Sequence, residues 1–295
     1  MVLIVFLLAY LVRRKLDSSG HFSGDALWRA WFHRGSRVHA GAETSIAGGL
    51  ALVLLPALLS GLLEYLLTDY GLRWLVYPVE FIVLVAMMGA PGWKRVLRDY
   101  SDAWGRDDMQ AAWHHVRDRL PVEDRQENSS AETMHLSLSR AFMVSIFERY
   151  FLVAFWFVVG GMPAAILARG MVALAEQWPQ AAARPRFVRW AEWLAWIPAR
   201  LVSVTFGVAG DLAGWLGEAK GLLLAVRKPA GELLAESANS ALTGYALDPE
   251  RFLKVHPDEW SRFGSTSVAA VRDLLNRTML AWLCGLALLV IAGVV

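Results

Sequence analysis

The sequence predicts an all-α, polytopic membrane protein with four or five spanning helices and cytoplasmic amphipathic helices. Of its 295 residues, 56% are hydrophobic, whereas a soluble domain has roughly 45–50%, and the excess is gathered into long apolar runs. No segment alternates apolar and polar residues as a half-buried strand does. The chain also carries 14 Trp, a residue that favours membrane interfaces because its ring is buried while its N–H stays hydrated.

The charge and the motifs argue against several classes of protein. A net charge of +2 is too small to indicate a nucleic-acid partner. There is no Walker loop, GxSxG, HExxH or Cys/His cluster at ligand spacing, and the single cysteine, Cys284, forms no intrachain disulfide. His114 and His115 are adjacent, so on a helix they point about 100° apart and do not share one metal. We therefore expect no metal and no cofactor.

The N-terminal apolar run covers residues 1–12. No basic residue precedes it and no small-residue cleavage pattern follows it, which argues against a cleaved signal peptide. As a helix, twelve residues rise about 18 Å, short of the roughly 30 Å hydrocarbon core of a bilayer. We expect a shallow or partly inserted helix that anchors the start of the chain.

Four longer runs have the roughly 17–25 residues that a spanning helix needs: 44–66, 72–90, 150–176 and 278–295. A fifth run, 190–216, is ambiguous because it contains charged residues. If it crosses the membrane, the basic turn 177–189 falls outside, against the positive-inside rule. If it lies on the surface, the more basic loop 218–276 falls outside instead. The first alternative violates the rule less, so crossing is favoured.

Lys and Arg are concentrated in three loops, 13–43, 93–145 and 218–276, and basic loops stay cytoplasmic. We therefore predict a multi-pass protein of the bacterial inner membrane with its polar loops mainly cytoplasmic. Its organisation would be one integral membrane domain, 1–295, with a cytoplasmic helical loop at 93–145 and a cytoplasmic loop at 218–276. In the loop 93–145, apolar residues interspersed among many charged residues predict an amphipathic helix. Ser130 in the same loop is a candidate start for the next helix.

Glu148 and Arg149 stand at the threshold of the run 150–176. One interpretation is a charged collar that marks the membrane–cytosol boundary, with side chains that reach to water. The other is a ligand or proton site at the cytoplasmic mouth of the helix bundle. Arg169, near the far end of the same run, is expected to snorkel outward. Gly160 and Gly161 are expected to permit close helix approach.

Arg200 and Asp211 are eleven residues apart, about three helical turns, so a continuous helix would place them on one face. Ionisable residues well inside a span normally face a partner or a cavity, which makes this pair a candidate polar site. Pro198 weakens the helix just before Arg200 and is expected to free backbone carbonyls for it. Glu64 and Glu80 are interpreted as interfacial carboxylates.

Two stretches, "FERYFLVAFWFVVGG" and "WLAWIPARLVSVTFGVAGD", resemble AmpE, a family of inner-membrane proteins linked to regulation of β-lactamase induction. The resemblance is best over about 95–215. It implies an accessory or signalling protein, associated with β-lactamase induction and cell-wall stress, that binds a ligand or partner rather than catalysing a reaction. The expected partners are the lipid bilayer and an unknown small molecule or membrane protein. A homodimer through glycine-rich faces is a further expectation.

AmpE is itself similar to CobD/CbiB, membrane enzymes that join an aminopropanol moiety to cobyric acid. The alternative function is therefore a CobD-like enzyme that forms an amide between an amine and a carboxylate of a large substrate. Gly105-Arg106-Asp107 and Pro198-Ala199-Arg200-Leu201 resemble motifs of that family, with Glu148 or Asp107 as the base. Ala191, Glu192 and Ala195 stand where that family has Asp-Asp and Asn. The candidate site comprises six residues: Arg106, Asp107, Glu148, Arg149, Arg200 and Asp211.

Overall fold

A computed structural model describes residues 1–19, 24–36, 45–121, 124–125, 130–243 and 246–293. Within these ranges the chain forms helices and short turns and no strand, which confirms the all-α class. Outside the described residues lie 20–23 and 37–43 of the predicted basic loop 13–43, the first residue of the run 44–66, most of the polar segment before Ser130, and the last two residues of the run 278–295.

The helices follow one another with few long connections. They are α1 (Val2–Ser19), α2 (Gly24–Gly35), α3 (Ala47–Asp69), α4 (Val76–Met87), α5 (Trp93–Gly105), α6 (Met109–Val116), α7 (Ala131–Ile146), α8 (Leu152–Gln177), α9 (Arg184–Ala209), α10 (Leu212–Glu218), α11 (Ala230–Ala241), α12 (Pro249–Val255) and α13 (Trp260–Ile291). A π-helical turn, Phe147–Phe151, joins α7 to α8.

Three helical stretches are long and apolar enough to cross a membrane: Ala47–Asp69, Ala131–Gln177 and Pro257–Ile291. They include the predicted run 150–176 and most of the predicted runs 44–66 and 278–295. The run 72–90 yields only α4, whose 12 residues rise about 18 Å. The run 190–216 is divided between α9 and α10, because the chain leaves the helix at Gly210. The protein therefore has the apolar helices of a membrane protein.

By its internal contacts the chain divides into two compact units. The first comprises Met1–Pro91, Phe147–Pro198 and Gly285–Val295, and the second comprises Gly92–Ile146 and Ala199–Cys284. Boundaries between the units fall at the start of the π-helical turn, within α9 and within α13.

In the first unit, α8 is interrupted at Gly160 (φ −139°, ψ 22°) and Gly161 (φ 66°, ψ −161°). Only glycine adopts the latter conformation readily. A straight helix would hold Arg149 and Glu176 about 40 Å apart, yet Nη2 of Arg149 lies 3.2 Å from Glu176 Oε1. The segment 147–177 therefore folds back on itself as a helical hairpin. We call 147–159 its first arm, 162–177 its second arm, Gly160–Gly161 its tip and the opposite end its base.

The second arm packs antiparallel to α3. A Cβ atom added to Gly170 would lie 2.5 Å from Cγ1 of Val53, and one added to Gly61 would lie 3.3 Å from Cγ of Pro163. Glycine is thus favoured at position 170 of the second arm, because a side chain there would collide with Val53 of α3. Gly160 and Gly161, which were expected to serve that purpose, instead form the tip.

The first arm packs against α1. The ring centroids of Phe6 and Phe157 are 6.4 Å apart, and those of Tyr10 and Tyr150 are 5.8 Å apart. At the end of α1, Asp17 accepts a hydrogen bond of 2.5 Å from the Tyr150 hydroxyl. The N-terminal helix therefore runs to Ser19, past the twelve apolar residues, because its polar last turn has partners inside the unit.

In the second unit, His135 of α7 is completely buried and has a partner at each ring nitrogen. The Tyr100 hydroxyl lies 2.8 Å from Nδ1 and the Ser267 hydroxyl 2.7 Å from Nε2. Burial raises the pKa of Tyr100 well above its ordinary value, so its hydroxyl stays neutral. We call these three residues the His135 network.

Side-chain caps begin several helices of the second unit. Ser130 Oγ accepts a hydrogen bond of 3.2 Å from the Thr133 amide, which confirms Ser130 as the start of α7. Asp108 and Asp248 cap α6 and α12 in the same way. Each such cap satisfies an amide that has no acceptor within its own helix.

Candidate functional site

Five charged side chains of the first unit interact at the base of the hairpin. They are Asp25 from α2, Glu148 and Arg149 from the π-helical turn, and Arg169 and Glu176 from the second arm. We call them the base cluster. The hairpin brings its two arms together here, and α2 packs beside them, since a Cβ atom added to Gly170 would lie 3.0 Å from Cη2 of Trp28.

Arg149 bridges two carboxylates. Its Nη1 atom donates to Asp25 Oδ1 at 2.6 Å and to Oδ2 at 2.5 Å. Its Nη2 atom lies 3.2 Å from both carboxylate oxygens of Glu176. A planar guanidinium suits this arrangement because its N–H groups form a fixed fork. Arg149 therefore joins α2 to the end of the second arm.

Arg169 is the most deeply buried member of the cluster, with 2% of its side chain exposed. Its Nη2 atom donates to Asp25 Oδ1 and lies 3.9 Å from Glu176 Oε2. Its Nη1 atom, and Nε of Arg149, are buried and donate no hydrogen bond to the described residues. The great majority of buried polar atoms have a partner, so the cluster has unused donor capacity.

The expectation that Arg169 snorkels outward is therefore wrong. It assumed one continuous span, in which Arg169 would lie at the end opposite Arg149. Because the chain reverses at the tip, Arg169 returns to the base, and both guanidinium groups contact Asp25.

Asp25 is held ionised by this arrangement. Burial alone raises the pKa of its carboxyl, but the positive charges of Arg169 and Arg149 and their hydrogen bonds outweigh burial. The net result is a pKa below the ordinary value. Asp25 is thus the shared counter-ion of two arginines.

Glu148 adds a third carboxylate to the cluster. It is partly exposed and interacts electrostatically with Glu176, both arginines and Glu192 of α9. With every group ionised, two positive charges face three negative ones inside the cluster. Within the described ranges, no three His, Cys, Asp or Glu side chains are arranged to hold a metal ion. The groups present are suited to binding polar or charged organic groups through arginine N–H donors.

The other four predicted site residues belong to the second unit. Arg106 and Asp107 are exposed and follow the end of α5. Asp107 has φ 58°, and its amide donates to the Trp104 carbonyl at 2.9 Å. A residue in this left-handed conformation is a common way to end a helix, so the Gly-Arg-Asp segment has a clear structural role.

Arg200 and Asp211 do not share a helical face, because α9 ends at Ala209. Arg200 is buried and donates to the carbonyls of Leu223 (3.0 Å) and Ala225 (2.8 Å). Asp211 caps α10, since its Oδ1 atom accepts from the amides of residues 213 and 214.

Sequence reasoning missed Asp25, Arg169 and Glu176. Asp25 carries no sequence signal, because its partners are more than 100 residues away. Arg169 and Glu176 did have a sequence signal, because a Gly-Gly pair and Pro163 divide an apolar run that has charged residues at both ends. Two arms of similar length with charged ends are the pattern of a hairpin whose charges meet.

A comparison with protein families identifies the chain. The family model described as "Regulatory signalling modulator protein AmpE" matches residues 1–220, about three quarters of the chain and the whole of the hairpin. No curated protein and no solved structure matches the chain significantly, and the relation to CobD/CbiB stays a prediction. The matched residues include every member of the base cluster. The chain therefore belongs to the AmpE family of regulatory signalling modulators.

Proposed function

We propose that this protein is an inner-membrane signalling accessory in β-lactamase induction and cell-wall stress, and that it binds a small ligand or a partner protein at the base cluster. Membership of the AmpE family supports the signalling role. The observation that carries the choice of site is Arg169, a buried arginine with an Nη1 atom that donates no bond to the described residues.

The energetics favour a binding role over a purely stabilising one. Taking ions out of water costs several kcal/mol each, and a buried ion pair offsets this only when its remaining hydrogen bonds are satisfied. Here donors of both arginines are left over. Carboxylate, phosphate or carbonyl oxygens of a ligand would accept hydrogen bonds from them. The ligand class is therefore one that carries oxygen acceptors.

Ligand binding at the base cluster would produce a signal by changing how α2 is attached to the hairpin. Asp25 is the residue through which α2 holds both arginines. An acceptor on a ligand would compete with Asp25 for their N–H groups, and α2 would lose part of its attachment to the hairpin. A ligand shifts such an equilibrium by its difference in affinity for the two states. In this proposal, the readout of ligand binding is the position of α2.

The lipid bilayer is the proposed surrounding of the apolar helices, with the basic loops in the cytoplasm. Along α3, leucines such as Leu58 and Leu62 are more than half exposed, which suits contact with lipid chains. A homodimer stays a prediction.

The test is complementation of a strain that lacks this gene. Cells carrying wild-type protein, Arg169→Gln or Glu176→Gln would be challenged with a β-lactam, and induced β-lactamase activity and membrane levels of the protein would be measured. Glu176→Gln keeps both contacts of Asp25 and is expected to preserve the fold. Arg95→Gln, at a side chain 83% exposed, is the matched control.

We expect both cluster variants to alter induction at wild-type membrane levels, with the larger change in Arg169→Gln, and the control to behave as wild type. Unaltered induction in both cluster variants, while deletion of the gene does change induction, would refute the base cluster as the site. An unaltered response on deletion would refute the signalling role itself.

A further inference from the structure

A surface pocket of about 210 Å³ lies in the first unit, where α3 and α9 begin. The described residues that line it are Ile46, immediately before α3, and Arg186, Arg189 and Trp190 of α9. The three α9 residues are spaced at i, i+3 and i+4, which places them on one face of the helix. Both arginines are exposed. The pocket therefore presents two guanidinium groups and an aromatic ring together.

Packing of α9 against α3 fixes the position of the pocket. Phe187, which follows Arg186 in the chain, is completely buried, and a Cβ atom added to Gly49 of α3 would lie 2.6 Å from its Cζ atom. The Phe187 ring thus occupies the space that a larger residue at position 49 would fill. Arg184 Nε donates to the Trp178 carbonyl at 2.8 Å, which attaches the start of α9 to the end of the hairpin. The pocket is therefore built on packed helices rather than on a loop.

The length of α3 gives the depth of the pocket in a membrane. This helix is long and apolar enough to cross a bilayer, and its 23 residues rise about 34 Å, slightly more than the roughly 30 Å hydrocarbon core. When α3 spans the core, Ile46 at its beginning lies at the level of the lipid headgroups. The half-exposed Trp190 suits the same level, because Trp is enriched at membrane interfaces.

An apolar stripe continues along α9 from the pocket. Trp190, Trp193 and Ile197 are spaced at i, i+3 and i+7, on one face of the helix, and each is about half exposed or more. They extend about 10 Å along the helix axis. At the pocket end of this stripe the charge is only positive, since the segment 177–191 contains three Arg and no Asp or Glu. A ligand that matches both features has a negatively charged head and a hydrocarbon chain.

We propose that this pocket binds an anionic phospholipid, with the phosphate at Arg186 and Arg189 and an acyl chain along Trp190, Trp193 and Ile197. Guanidinium N–H groups form charge-assisted hydrogen bonds to phosphate oxygens, and basic pockets beside membrane helices bind the headgroups of anionic lipids. A choline or ethanolamine headgroup brings a positive charge toward the arginines and binds less well. This inference does not depend on the proposed function of the base cluster.

Thermal unfolding of the full-length protein in dodecylmaltoside micelles tests the site. Phosphatidylglycerol or zwitterionic phosphatidylcholine, with identical oleoyl chains, is titrated in, since a ligand that binds the folded state raises the unfolding midpoint. We expect phosphatidylglycerol to stabilise wild type more strongly than phosphatidylcholine does. The double variant Arg186→Gln/Arg189→Gln should weaken the apparent affinity for phosphatidylglycerol by about 30-fold, because each arginine near an anionic surface contributes about fivefold.

The matched control is Arg95→Gln/Arg98→Gln, which removes the same charge at the same spacing from side chains that are 83% and 71% exposed. It should bind phosphatidylglycerol as wild type does. Trp193→Ala, at a residue 78% exposed, should weaken the affinity by a smaller factor because it shortens the apolar stripe. Glycerol phosphate, which has no acyl chain, should not stabilise the protein at the same concentrations.

Equal stabilisation by the two lipids would overturn the proposal, and so would a double arginine variant that keeps the preference of wild type. An unchanged affinity in Trp193→Ala would refute the path of the acyl chain, and this variant keeps the test decisive if the double variant does not fold. Stabilisation by glycerol phosphate as large as that by phosphatidylglycerol would assign the pocket to a soluble phosphate, and stabilisation by polyglutamate alone would assign it to an acidic protein segment. None of these results depends on β-lactamase induction, so the two proposals succeed or fail separately.

Discussion

The base cluster of the first unit and the His135 network of the second unit are both buried and polar, and they differ in what they leave unsatisfied. His135 has a hydroxyl at each ring nitrogen. The base cluster contains five ionisable groups, and buried N–H groups of Arg149 and Arg169 donate to nothing among the described residues. A network with every partner present rigidifies a fold. A charged cluster with unused N–H donors is able to bind a ligand that carries hydrogen-bond acceptors.

The largest expected effect is on the base cluster. Asp25→Asn removes the counter-ion that two arginines share, which leaves Arg169 buried with its charge poorly compensated. Breaking a buried pair in this way costs about 3–5 kcal/mol. The free energy of unfolding in mixed detergent micelles measures it. Asp273→Asn, at a residue 60% exposed in a surface pair, should change it by less than about 0.5 kcal/mol. A comparable small change for Asp25→Asn would mean that the arginines find other partners.

A substitution at the tip tests whether the chain reverses there to form the hairpin that creates the base cluster. Gly161→Ala forces a side chain into a backbone conformation that is essentially restricted to glycine, at a cost of roughly 1–3 kcal/mol. The midpoint of thermal unfolding should fall. Gly217→Ala lies in α10, where nothing stands within 4 Å of the new methyl group, so it should be neutral or slightly stabilising. Equal behaviour of the two variants would contradict a reversal at the tip.

A smaller effect is expected in the His135 network. Ser267→Ala removes the partner at Nε2, but the Ser139 hydroxyl is only 3.4 Å from the same atom and is placed to replace it. We expect a loss of about 1 kcal/mol, the net value of one hydrogen bond, in the free energy of unfolding. Ser265→Ala, on the exposed side of α13, is the control. A loss above about 3 kcal/mol would show that the network is as sensitive as the charged cluster.

The pH dependence of stability at low pH tests the charge of Asp25 in the base cluster. The pKa of Asp25 is lowered in the folded protein, so its stabilisation is fully present above the unfolded value, about 3.9, and is lost as the pH falls through the folded value. The stability difference between wild type and Asp25→Asn should therefore shrink as the pH falls below about 4. A difference that stays unchanged there would show that the pKa of Asp25 is not lowered by the two arginines.

The sequence was sufficient for the helical class, for long apolar helices and for the start of α7 at Ser130. These follow from local pattern. It was not sufficient for the hairpin, because a Gly-Gly pair is equally suited to close packing and to a reversal. Nor was it sufficient for Asp25, whose role arises only when α2 packs beside the two arms. Arg200 likewise finds its carbonyls 23 and 25 residues along the chain.

The reversal at Gly160–Gly161 also changes the counting of membrane crossings. Arms of 13 and 16 residues rise about 20 and 24 Å, less than the roughly 30 Å that a full crossing requires. We predict that the hairpin enters the bilayer and turns back without crossing it, so that its two ends, which meet at Arg149 and Glu176, lie on the same side of the membrane. We predict on this basis that the basic turn 177–189 lies in the cytoplasm, where its three arginines agree with the positive-inside rule. Labelling of a cysteine at Ala181 from one side of the membrane, in a Cys284→Ser background, reads this sidedness directly.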